Sequence, residues 1–92
     1  MENFINKYII VSEEVNSMKV VDFPVLLKNS QTENIMHVFD NKPLAEDFIK
    51  QHNLYSDSVR IILFETQFFD KWEKEFEKIN QTIIIKSVTA VE

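Results

Sequence analysis

His37 and His52 are the two imidazoles of a 92-residue chain that carries fifteen carboxylates and no cysteine. A metal site needs three or four converging ligands, and the missing thiols already exclude cysteine ligation. His37 stands in a strand-like run shortly before Asp40, whereas His52 falls on the apolar face of a helix, so nothing sets the pair at ligand spacing. There His52 can meet the last carbonyls of the helix and its dipole. A nucleophilic set can be drawn from Ser58, His52 and Asp57, but hydroxyls beside a helix end usually serve turns. Carboxylates pair at Glu13–Glu14, Glu46–Asp47 and Glu73 with Glu77. Neighbouring helical residues diverge by about 100°, and Glu73 and Glu77 share an outward face, whereas acid–base work needs a carboxylate in a cleft. The chain therefore offers no catalytic residue, no metal ligand set and no cofactor site, and a non-enzymatic protein is expected.

Glycine is absent. Ordinary usage of about 7% would supply about six. Phosphate-cradling loops and dinucleotide-binding turns need glycine for close backbone approach, so both are excluded. Left-handed positions are then expected to fall to the eight asparagines. Ten basic against fifteen acidic residues leave a net charge of −5. Nucleic-acid binders present a basic face, whereas the lysines here alternate with acids, so direct nucleic-acid binding is not expected.

The elements that must position any site follow from periodicity. In "FFDKWEKEFEKIN", residues 68–80, the side chains Phe68, Phe69, Trp72, Phe76 and Ile79 share an arc of about 100°. Thr66 can cap this helix and Asn80 can end it in left-handed backbone. In "FDNKPLAEDFIKQHNL", Asp40 or Asn41 caps, Pro43 enters the first turn, and Asn53 stops a helix whose inner face holds Leu44, Ala45, Phe48, Ile49 and His52. Strands are read at 33–39, 58–64 and 82–88, the second apolar on both faces and so expected to be central. "NSMKVVDFPVLLKN", residues 16–29, holds two short strands or one bent at Phe23-Pro24, with "NSQTEN" as the next hairpin loop. Residues 2–10 are read as a helix, because Phe4, Ile5, Tyr8 and Ile9 share a face, although "YIIV" also suits a strand.

The whole is one α+β domain over residues 1–92, in the order α–β–β–β–α–β–α–β. It is a four- or five-stranded mixed sheet with an antiparallel meander, packed by two or three helices. No apolar run approaches the ~20 residues that span a bilayer, and no targeting signal opens the chain, so a cytoplasmic protein off the membrane is expected.

The run from "IMHVFDNKPLAEDFIKQ" through "VRIILFETQFFDKWEKEFEKINQTIII" resembles small bacterial α+β families of unknown function, the SseB-like N-terminal domains among them. The shared plan covers roughly residues 35–88: a strand ending in an aromatic, a capped helix with Ala then Phe, a strand, a helix with Phe then Trp, and a last strand. The resemblance implies a small non-catalytic module. It carries over no functional residues, because the matching positions are core positions.

Eight phenylalanines, one tryptophan and two tyrosines are generous for this length. Met36, Tyr55 and Phe68 are the candidates for an exposed protein interface. The expected function is binding a partner protein or self-association as a homodimer. The alternative is a small acidic inhibitor or immunity-type protein, as phages and mobile elements encode, that blocks a basic nuclease or nucleic-acid-binding surface.

Overall fold

A computed structural model describes residues 6–90, apart from the side chain of Asn16. Six strands and two helices follow in the order β1 (Tyr8–Asn16), β2 (Lys19–Pro24), β3 (Leu26–Lys28), β4 (Glu33–Phe39), α1 (Lys42–Gln51), β5 (Val59–Leu63), α2 (Thr66–Glu77) and β6 (Thr82–Val88). The radius of gyration of 13.1 Å fits one compact α+β domain. Among the described residues no helix is long and apolar enough to cross a membrane.

β1 and β4 are the spine of the sheet. Tyr8 pairs with Leu63 of β5 on one side and Phe39 of β4 on the other, and β4 pairs in parallel with β6 along its whole length. The order at this end is therefore β5–β1–β4–β6. Further along, β1 and β4 diverge, with β2 paired to β1 and β3 paired to β4. Pro24, which has no N–H to give a ladder, ends β2, and the Val25 N–H turns back to the Ile10 carbonyl at 2.9 Å.

This topology places the helices. β4, β5 and β6 point the same way, since β5 and β4 both run antiparallel to β1. The chain crosses from β4 to β5 through α1, then returns from β5 to β6 through α2. Two right-handed crossovers in opposite directions put the helices on opposite faces. The core divides accordingly. Ile9, Val11, Met36, Val38 and Phe64 pack with Phe69 and Trp72 of α2. Ile10 and Phe39 pack with Ala45 of α1, joined by the half-buried Leu44, Phe48 and Ile49.

The expected helix over residues 2–10 is not formed at its described end, where Tyr8–Ile10 open β1; residues 1–5 lie outside the described part. The reason is tertiary. Ile9, Ile10 and Val11 are all buried, and alternation sends them to both helix-covered faces, which a one-sided helix could not do. Six strands thus replace the expected four or five. β5 is also not central: among the described residues it pairs with β1 alone, and its Val59, Ile61 and Ile62 pack into the core on both faces while Leu63, half exposed, stands at the open edge.

Helix ends divide the same way. Asn41 caps α1, its side chain accepting from the Leu44 N–H at 3.1 Å, with Pro43 in the first turn and Asn53 in left-handed backbone at φ 53°. Asn80 closes the turn after α2 at φ 58°. Thr66 is the first residue of α2 and not its cap; Glu65 holds that position and makes no side-chain capping bond. The left-handed positions are not all asparagines either. Ser17 and Met18 sit at φ 50° and 67° between paired Asn16 and Lys19, a two-residue hairpin turn in which both central residues need positive φ.

Candidate functional site

The groups that could do chemistry are placed first. His37 on β4 and His52 after α1 meet at Phe48, whose ring centroid lies 4.8 Å from His37 and 4.2 Å from His52. His37 Nδ1 is buried without a hydrogen-bond partner. Burial, then the charge of Lys86, then His52, hold the His37 pKa below its ordinary value. No third ligand joins them: among the described residues no group of three or more His, Asp or Glu side chains could hold a metal ion. Ser58 Oγ is bonded to Ser56 Oγ at 2.7 Å, and the Ser58 N–H donates to Ser56 Oγ, so this serine belongs to a turn.

The opposite face carries the more specific feature. α2 lies nearest β6, and the outer side chains of its N-terminal half, Phe68 and Lys71, face β5 and β2 across a gap. Between them runs a groove of about 570 Å³, lined by Val20, Asp22, Leu63, Phe68, Lys71 and Trp72 among others. Its wall is well built. Trp72 is 3% exposed and donates its indole N–H to the Asp22 carbonyl at 3.1 Å, tying α2 to β2. Phe68 stacks on Trp72 with ring centroids 6.0 Å apart. Arg60 of β5 bonds Glu13 of β1 at 3.0 Å and also the Asp22 carboxylate, so three strands are clamped across the groove floor. These are half-exposed pairs, so they orient the strands more than they stabilise them.

What lines the groove is unusual for a surface. Val20 is 64% exposed, Leu63 50% and Phe68 38%. Val15 pairs directly with Val20 across the β1–β2 ribbon, and Met18 sits exposed at its tip, so the apolar surface continues from the groove to the end of the hairpin. Two exposed lysines, Lys19 and Lys71, and one exposed glutamate, Glu65, border it without an ion-pair partner among the described residues. A second concavity, about 590 Å³, lies at the bend between β2 and β3 but holds none of the exposed large apolar residues.

The three expected interface residues part company here. Met36 is buried at 1% in the α2-side core, so it presents nothing to a partner. Alternation along β4 sends it to the face α2 covers. Tyr55 is exposed on the loop between α1 and β5. Phe68 lines the groove. Val20, Leu63 and the unpaired charges escaped the sequence reading. The signals for them were "VNSMKV", an apolar pair astride a hairpin tip, and the single arginine set inside an apolar strand.

Comparison of the chain with protein families, with curated proteins and with solved structures finds no match in any of the three. Its function has to be read from its own surface.

Proposed function

We propose that this chain is a non-enzymatic protein-interaction module that binds through the groove on the α2 side of its sheet. The observation that supports the reading is that Val20 and Phe68, each more than a third exposed, share one concave site with a rigid tryptophan wall, with β5 at Leu63 forming its rim. Partly exposed aromatic and aliphatic side chains around a fixed aromatic anchor are what the buried centre of a protein interface is made of. The acidic-inhibitor reading gains less support, because the acids on the outer face of α2 alternate with Lys71, Lys74 and Lys78 and do not mass on one side.

The test is site-specific photo-crosslinking in cells, with the reactive side chain placed at Phe68 in the groove or at Glu46 on the exposed back of α1. A discrete protein adduct from Phe68 and none from Glu46 is the expected result. Equal adducts from both sites, or none from Phe68, would overturn the reading.

A further inference from the structure

The groove and its neighbouring hairpin together indicate what covers them. Among the described residues, four of the seven exposed large apolar side chains, Val15, Met18, Val20 and Phe68, belong to this one continuous stretch, with Leu63 at its β5 rim, while Tyr55 and Ile79 lie apart. Half of the stretch is a ridge and half a groove. β5 pairs with β1 only as far as Ser12, so the ribbon from Glu14 to Val21 stands as two strands alone. A lone two-stranded ribbon is marginal in water. Here it also turns through Ser17 and Met18 in left-handed backbone without glycine, which costs about 1–2 kcal/mol per residue. Such a ribbon gains most when its apolar side is covered.

Charge separates the possible covers. The molecule carries net −5, and a basic partner would be drawn to an acidic patch. This stretch is not acidic. Lys19, Arg60 and Lys71 are matched there by Glu13, Asp22 and Glu65, and the members left unpaired, two lysines and one glutamate, are of both signs. A two-fold interface brings a patch against itself, so it needs both signs on the same patch and a ridge beside a groove. This patch has both.

We infer that a second copy of this chain covers the groove, in a two-fold dimer in which the β1–β2 ribbon of each protomer lies along the groove of the other. The inference rests on the interaction reading above and names the partner of the same site.

Sedimentation equilibrium of the purified chain over a dilution series tests it, with Phe68→Asp and Val20→Lys as groove and ribbon variants and Ile79→Lys as the control. A reversible dimer is expected, weakened about thirtyfold or more by either groove or ribbon change and unaltered by the control. Unchanged thermal melting by circular dichroism in at least one of the two variants separates loss of contact from loss of fold. A chain that stays monomeric up to about 1 mM, or a dimer indifferent to both variants, overturns the inference. The crosslink from Phe68 then tells the two failures apart. An adduct with a different protein leaves the interaction reading standing and removes only the second copy, whereas no adduct removes both.

Discussion

On one side of the sheet α1 spreads over β1, β4 and β5, and the rings of Phe39, Phe48 and His37 pack beneath it, with His52, exposed at the helix end, against Phe48. On the other side α2 meets chiefly β6, buries Phe69 and Trp72, and leaves Phe68 and Ile79 at the margins of its stripe partly in water. Both helices are amphipathic and of similar length, so the difference lies in where each crossover carries its helix. α1 makes the shorter step, over β1 alone, and comes to rest centrally. α2 has to travel from β5 to the far edge at β6, and the end it leaves behind uncovers the groove.

Trp72 is where the two states of the α2 face meet, so Trp72→Ala is the largest expected perturbation. It should cost about 3–5 kcal/mol in urea denaturation, by removing a buried aromatic and leaving the Asp22 carbonyl short of its donor. Phe68→Ala, one turn away on the groove rim, should cost about 1 kcal/mol or less. Equal losses would mean that the groove is core after all. The helix starts sharpen the contrast: Asn41→Ala should cost about 1 kcal/mol, whereas Thr66→Ala, with no capping bond to lose, should cost at most a few tenths. At the ribbon tip, replacing Ser17-Met18 by Asn-Gly should stabilise the fold by about 1 kcal/mol, since those residues accept left-handed backbone without strain. Thermal melting reads that change.

The finished face predicts its own pH dependence. Burial, Lys86 and His52 lower the His37 pKa from 6.5 in the fold, so as pH drops through 6.5 the unfolded chain takes up a proton that the folded chain resists. Stability contributed by neutral His37 is therefore present above pH 6.5 and declines below it, down to the lowered folded pKa. Denaturation midpoints at about pH 7.5 and about pH 5.5 should separate less in His37→Phe than in the unaltered chain. An unchanged separation would place the titration elsewhere.

Much of the fold was legible because local rules and tertiary needs agreed. The strands at 33–39 and 82–88 fall where alternation and β-branched residues set them, and Asn53 and Asn80 end helices in the absence of glycine. The break at Pro24 was equally plain, since the missing N–H admits no ladder bond there. Legibility failed where a distant element decided. "YIIV" has a helical face and a strand composition, and only the presence of a helix on each side of the sheet makes both of its faces apolar. Met36 failed likewise, because its face is covered by a helix that arrives some thirty residues later. Of the site, Phe68 was visible as the rim of its stripe, and Leu63 and Val20 were not. Their exposure depends on where α2 stops short, a matter of crossover length that no local pattern encodes.

The most direct test of the open α2 face is a dilution series followed by backbone and methyl chemical shifts. Shifts that move with concentration should map to Val15, Val20, Leu63, Phe68 and Lys71, with Phe48, His52 and the outer face of α1 still. Movement centred on α1, or no movement at any concentration, would contradict the assignment of that groove as the surface on which this protein meets its own copy.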